Sequence, residues 1–349
     1  MSTAAFLARR KVLLLGLAVL LVGGLAGRLV LLERGPTGPA SAADDSPRAE
    51  RASTLSAPAA SATIQLPRGV TDILAADGSV WAASSAGVQR IDPATNSVVA
   101  GIALPHVGDA GMLAWLDGSM WATQESGQLT RIDPLTNRAI ATIALGGVPI
   151  SIAAGRRVLW VGVSDPSGGP ARVLTVDPTT NSITTTWRLS PEMGRLSYVD
   201  GTLWVGSIGG ETRVARIDPA DGQMSAVVEH ELPETSADGA LWTVANGAVR
   251  IDPEDGSTTA TVDAGNVDQV AAGLGAVWAL TRTGSKSRAV YDPDESKPAT
   301  VVAIDPETNR VVGAPVPVGI SPAYMTVGSG AVWVAQYDSG LVTRVDLTR

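Results

Sequence analysis

From about residue 61 to its end, the chain is a succession of short apolar–polar alternations separated by Gly- and Asp-rich punctuation. None of these runs keeps a helical period over ten residues, so each reads as a strand. ILAADGSVWAAS, from Ile73, predicts a strand A, a tight Asp-Gly hairpin turn and a strand B; VQRIDP predicts strand C and NSVVAGIAL strand D. The unit then recurs. Its Trp falls at Trp81, Trp121, Trp160, Trp204, Trp242, Trp278 and Trp333, a mean spacing of 42 residues. An Asp-Pro step follows at Asp92, Asp133, Asp177, Asp218, Asp252 and Asp305, and the seventh copy ends on Asp346 without its Pro. In such a turn the Asp side chain can hold backbone amides and Pro presets φ. The Asn or Gly four positions after the Asp takes the left-handed conformation.

Four-stranded meanders at this spacing predict propeller blades. A lone sheet of that size leaves two apolar faces open, so blades stack around an axis, and the recurring Trp is expected to fill the gap between neighbours rather than to form a ligand platform. The seventh copy supplies three strands and stops. Its missing fourth is expected at the start of the repeats, where ATIQLPRGV from Ala62 matches the D strand ATIALGGV from Ala141. A ring closed in that way leaves no free edge. The expected fold is all-β: a seven-bladed β-propeller of four-stranded antiparallel blades over residues 61–349, closed by an N-terminal strand and preceded by one N-terminal transmembrane helix.

That helix is read from residues 12–32. After ARRK come sixteen uncharged residues, then Arg28 and LVLL to Leu32. With Arg28 snorkelling to the headgroups, the 21 residues rise roughly 31 Å, about one bilayer core. Residues 1–11 carry the basic cluster and are expected to be cytoplasmic, which puts the propeller on the extracytoplasmic side of the cell membrane as a single-pass signal anchor. A cleaved signal peptide with ASAA at Ala40–Ala43 as its site, giving a secreted protein, is the alternative. Residues 33–60, rich in Ala, Ser and Pro, predict a disordered linker with a reach on the order of 30 Å.

Composition narrows the chemistry. There is no Cys and there are only two His, which removes disulfides, thiol catalysis and Cys-ligated metals and leaves little for multi-His sites. Residues 1–34 hold five basic side chains against Glu33, so the remainder of a chain with net charge −8 carries −12. An acidic body repels phosphate backbones, and nucleic acid is not an expected partner.

Meander order places the A–B and C–D turns at one end of the propeller and the B–C and D–A connections at the other. The first set is short and uniform. The second varies, with 164–171 in blade 3, 207–212 in blade 4 and above all 282–299 in blade 6, as loops that bind on a rigid scaffold do. Counting nine residues back from each Trp reaches the channel mouth and gives Asp72, Met112, Ser151, Arg195, Pro233, Gln269 and Tyr324. The next ring is apolar in six copies and Glu234 in blade 5. A carboxylate there can have a raised pKa or pair with Arg195; if blade 5 is shifted, it simply faces solvent. His106 and His230 enter blades 2 and 5 on the same face, and together with Glu234 they are the weak catalytic candidates. The expected ligand-binding residues are Arg68, Asp72, Asp109, Arg195, Asn266, Asp268, Gln269 and Tyr324. No cofactor is expected, although Asp72, Asp268, Glu234 and Asn266 offer oxygens suited to Mg²⁺ or Ca²⁺ if they converge.

The sevenfold Trp and Asp-Pro pattern resembles the propellers of the streptogramin B (virginiamycin B) lyase-like and YVTN-repeat type. For the lyase branch, the resemblance implies metal-assisted elimination that opens a cyclic depsipeptide, with a His base and a Glu from the later blades. Blades 6 and 7 contain no His, and His230 lies outside any motif of that family. The expected function is therefore a membrane-tethered, extracytoplasmic scaffold that binds an unidentified protein or small molecule without catalysis. The lyase is the alternative.

Overall fold

The computed structural model describes residues 57–105, 107–108, 111–155, 157–165, 167–189, 193–207, 213–225, 231–282, 298–320 and 322–347. The expected cytoplasmic segment 1–11, the membrane helix 12–32 and residues 33–56 of the linker lie outside these, as do His106, Asp109, His230 and 283–297. Among the described residues no helix is long and apolar enough to cross a membrane.

Seven antiparallel sheets follow one another in chain order. Blade 1 runs Asp72–Ala76, Ser79–Ser84, Gly87–Asp92 and Ser97–Ile102, its four strands A to D in sequence. Blades 2, 3, 5 and 6 repeat that order. Blade 4 has three described strands, Met193–Val199, Thr202–Ser207 and Val214–Ile217, with Met224 bridging back to Ile217. Blade 7 is Pro322–Gly328, Ala331–Gln336 and Leu341–Leu347, and its fourth strand is Pro58–Gln65 from the other end of the repeats. Thr63 pairs with Thr343, Ile64 with Val342 and Gln65 with Leu341, which is the expected closure. The strand reaches back to Pro58 across a bulge at Ala60–Ala62, three residues into the stretch read as linker.

The Trp residues do what their spacing suggested. All seven are at most 3% exposed, and each packs into the next blade's hydrophobic cluster. Trp81 lies with Met120 and Ile132 of blade 2, and Trp333 with Val80 and Ile91 of blade 1, which carries the core around the closure. A buried Trp removes about 150–250 Å² from water, so seven of them dominate the contact between blades.

Turn chemistry follows the sequence closely. The A–B turns at Asp77–Gly78, Asp117–Gly118, Asp200–Gly201 and Asp238–Gly239 have both residues at positive φ, the geometry that suits strand twist in a two-residue hairpin. Leu274–Gly275 and Ser329–Gly330 adopt it without the Asp. In each of the six Asp-Pro turns the carboxylate accepts the amide two residues on, at 2.7–2.9 Å. Asn96, Asn137, Asn181 and Asn309 take φ of 52–56°, with Gly222 and Gly256 in the same role.

The arginine of the RIDP motif has a role that sequence reading missed. It stands across the sheet from its blade's Trp, and Arg90, Arg131, Arg216 and Arg344 each lie over that ring at 5.0–5.3 Å. From there each guanidinium reaches the next blade's Asp-Pro turn. Arg90 donates to the Pro134 carbonyl and to Asn137 Oδ1 (3.1 Å), and Arg131 to the Pro178 carbonyl and Asn181 Oδ1 (3.2 Å). Arg216 donates to the Pro253 and Glu254 carbonyls. Blade 3 has Thr175 in place of the arginine, and its Trp160 instead stacks on Tyr198 of blade 4, ring centroids 5.2 Å apart. Blade 6 has Ala303 there, and the blade that follows has no Asp-Pro turn to reach.

Candidate functional site

The A strands line the centre of the ring, and the Trp pairs with the residue seven positions earlier in every blade. Blade 5 keeps this register, with Thr235 opposite Trp242 and the Glu234 amide donating to the Trp242 carbonyl at 2.9 Å. Glu234 is therefore not displaced by a shifted blade. It is half-buried in a ring otherwise made of Ile73, Leu113, Ile152, Leu196, Val270 and Met325.

Its carboxylate has a structural partner. Oε2 accepts the Val270 amide of blade 6 at 2.8 Å. Asp72 makes the matching contact from blade 1, its Oδ2 accepting the Leu113 amide of blade 2 at 2.8 Å while Oδ1 accepts the Ile73 amide at 2.8 Å. Gln269 does the same from blade 6, accepting from the Met325 amide (2.7 Å) and donating to the Met325 carbonyl (3.0 Å). The inner edge of an A strand presents amides with no strand beside them, and these side chains satisfy them from the preceding blade. Pro233 occupies in blade 5 the place that Asp72 and Gln269 hold in theirs and has no polar side chain, so Glu234, one residue on, takes over the contact. Thr326 and Thr235 add a second row, accepting the Ala75 and Ala272 amides at 3.2 and 3.1 Å.

Burial pushes the Asp72 carboxyl up to about 7, against the lowering effect of its bonds to the Leu113 and Ile73 amides. A carboxylate near neutrality can exchange a proton, but both its oxygens are engaged by backbone.

Blades 6 and 7 gather several of the expected binding residues. Asn266, Asp268 and Gln269 follow one another on strand A of blade 6 (Asn266–Gly273), and Asn266 pairs across to Arg282 at the end of strand B (Ala276–Arg282). Asp268 falls at a β-bulge, and its carboxylate forms an ion pair with the Arg282 guanidinium. The matching bulge recurs at Ile150, Gly194 and Ala323 in blades 3, 4 and 7. Arg282 also donates to the Pro322 carbonyl of blade 7 at 2.7 Å. The sequence marked Arg282 only as the first residue of the variable 282–299 connection and gave no sign of its ion pair or of the bulges, because both depend on register across strands. Tyr324 lies half-buried on blade 7 against the cluster it shares with blade 1, and Arg68 is exposed on the connection into blade 1. Arg195 is exposed on blade 4, away from that group in the ring order.

The proposed oxygen set for a cation is not assembled. Asp72 and Glu234 face the amides of blades 2 and 6, Asp268 is paired with Arg282, and among the described residues no three His, Cys, Asp or Glu side chains converge to hold a metal. His106, His230 and Asp109 lie outside the described residues.

Comparison with known proteins follows the same line. A family described as a repeat of unknown function (DUF6923) matches residues 161–270, from strand B of blade 3 to strand A of blade 6. A search of curated proteins gives no match. Among solved structures, the chain is similar to the Neurospora crassa Pan2 WD40 domain, with 10% identity, 82% of this chain and 96% of that one covered, and TM-score 0.61. It is similar to a chain of the mitotic checkpoint complex, with 13% identity, 93% and 100% covered, and TM-score 0.63. It is also similar to Kuenenia stuttgartiensis hydrazine synthase, with 14% identity, 80% and 96% covered, and TM-score 0.56. At these identities the likeness is one of fold alone. The chain is a seven-bladed β-propeller whose residues 161–270, in its middle blades, are similar to the DUF6923 repeat.

Proposed function

We propose that this propeller is a binding scaffold without chemistry of its own. It is held on the extracytoplasmic side of the membrane by residues 12–32 and takes a protein or small-molecule ligand on the end carrying the B–C and D–A connections. The observation that supports this reading is the engagement of Asp72, Glu234 and Gln269: these three side chains are bonded to the neighbouring blade's backbone. Side chains fixed in that way hold a frame rigid, and the variable loops around it are left to recognise a partner. The basic N-terminus and the apolar run after it support the anchor.

The alternative remains a lyase of the streptogramin B type, which needs a His base. The two readings separate in one assay on the full-length protein in detergent, combining thermal shift against divalent cations and a small-ligand panel with turnover of a cyclic depsipeptide. The scaffold reading expects a ligand-induced shift that His106→Ala and His230→Ala leave in place, with no turnover. Metal-dependent turnover that either His variant abolishes would overturn it.

A further inference from the structure

On the turn face the interfaces repeat one geometry, so each serves as a control for the others. In blades 1 and 2 the arginine is positioned by its own A–B turn, where Nε donates to Ser79 Oγ and Ser119 Oγ, both at 2.9 Å. The guanidinium then lies over the Trp and donates to the Asn of the next blade. Blade 5 carries the same arginine, Arg250, opposite Trp242, and blade 6 presents the same left-handed Asn, Asn309, with φ 56°. The contact between them is not made. Arg250 Nη2 donates to the Asp238 carbonyl (3.0 Å) and carboxylate (3.2 Å) in its own A–B turn. The gap is visible at Asn309, whose Oδ1 is buried without a hydrogen-bond partner, and Arg250 Nε, the nitrogen that Ser79 and Ser119 hold in blades 1 and 2, is buried without one too. Ala240 stands where blades 1 and 2 have Ser79 and Ser119 and offers no hydroxyl to Nε; blade 7 has Ala331 there, but Asp346 holds the Arg344 Nε at 2.8 Å, and Arg250 has neither support.

The channel side of this seam is fastened, by Glu234 to the Val270 amide and Thr235 to the Ala272 amide. On the turn side Trp242 is packed into the blade 6 cluster, but the arginine contact is missing. We infer that Arg250 is a two-position latch, resting on Asp238 with the blade 5–6 seam lacking its arginine contact on the turn face, and swinging onto Asn309 to make the contact that Arg90, Arg131 and Arg344 make in blades 1, 2 and 7. The orphaned Asn309 Oδ1 favours the swing, because an unmet buried acceptor is costly. The Asp238 pair opposes it only weakly, since Asp238 is 46% exposed and water screens the attraction.

The test measures the cost of Asn309→Gly, which keeps the left-handed turn, by thermal unfolding of the full-length protein. In the unaltered chain it should leave Tm within about 1 °C, whereas Asn137→Gly, which removes Arg90's acceptor, should lower Tm by about 2–4 °C. Ala240→Ser supplies the missing hydroxyl, and Asp238→Asn, suited to the turn, removes the resting partner. In either background Asn309→Gly should become costly, lowering Tm by about 2 °C or more. Two results would overturn the latch. One is Asn309→Gly costing as much as Asn137→Gly in the unaltered chain. The other is Asn309→Gly remaining neutral in both backgrounds.

Discussion

Arg344 Nη1 donates to Asn96 Oδ1 at 2.8 Å, joining the last strand C of the chain to the first Asp-Pro turn. The same guanidinium lies over Trp333 and donates to the Pro93 carbonyl, while its Nε is held by Asp346 at 2.8 Å. Residues 248 apart in sequence thus close the ring on the turn face, where the strand Pro58–Gln65 closes it at the outer edge. Hydrogen bonds from charged donors contribute about 1.5–3 kcal/mol and the contact with the Trp face about 0.5–1 kcal/mol. Arg344→Ala should therefore destabilise the fold by about 2–4 kcal/mol in urea unfolding. Arg344→Lys should recover little of it, since an ammonium cannot reproduce the planar fork. A Lys variant as stable as the parent would remove the fork from the account.

Glu234 should behave as a structural acceptor. Glu234→Gln keeps an oxygen for the Val270 amide and should change stability by less than about 0.5 kcal/mol, whereas Glu234→Ala should cost about 1–2 kcal/mol. Urea unfolding of the two variants decides it. Equal losses would mean that the amide contact contributes nothing.

Gly155 faces the Tyr198 ring so closely that an added Cβ would stand 2.0 Å from Cε1. Trp160 and Tyr198 join blades 3 and 4 where no arginine does, so the ring cannot move aside without loosening that seam. Gly155→Ala should cost about 1–3 kcal/mol, and Tyr198→Leu should restore part of it. Thermal melts of the single and double variants check this, and additive losses would show that the ring is not the obstacle.

The pH dependence of stability should carry the signature of Asp72. Its carboxyl titrates near 3.8 when unfolded and about 7 when folded, so its contribution is complete below about pH 3.8 and is lost as pH rises through about 7. Asp92, Asp133 and Asp177 shift the other way through their turn hydrogen bonds, so their contribution fades only in stronger acid, outside that window. The stability of Asp72→Asn relative to the parent should rise between about pH 4 and about pH 8 in urea unfolding. A flat difference would place the Asp72 carboxyl in an ordinary solvated setting.

What could be seen in the sequence was what repeats along it. The Trp spacing, the Asp-Gly and Asp-Pro turns and the match between Ala62 and Ala141 are local patterns, and each marks a local structure. The arginine of RIDP was equally visible, but its meaning lies in a turn more than 40 residues away in the next blade, as with Arg90 and Asn137. Counting back from the Trp brought Asp72, Gln269 and Glu234 together as equivalent or adjacent positions near the start of strand A, where each bonds to the next blade. It could not say that their partners are backbone amides, because an amide left free at a strand edge has no sequence signature. Asp268 turned toward Arg282 for a similar reason: a bulge re-aims a side chain without changing the residues around it.

Ring closure by Pro58–Gln65 can be read directly, because the chain has no cysteine of its own. Gln65→Cys and Leu341→Cys place two thiols on directly opposed residues, neither of them buried, about 4.5–5.5 Å apart at Cβ. Treating the folded, full-length double variant with a short bifunctional maleimide and mapping the product by mass spectrometry should give an intramolecular link between positions 65 and 341 in most molecules. Either single variant should give none. Links only between molecules, or no link while both thiols react singly, would contradict a propeller sealed by its own first strand.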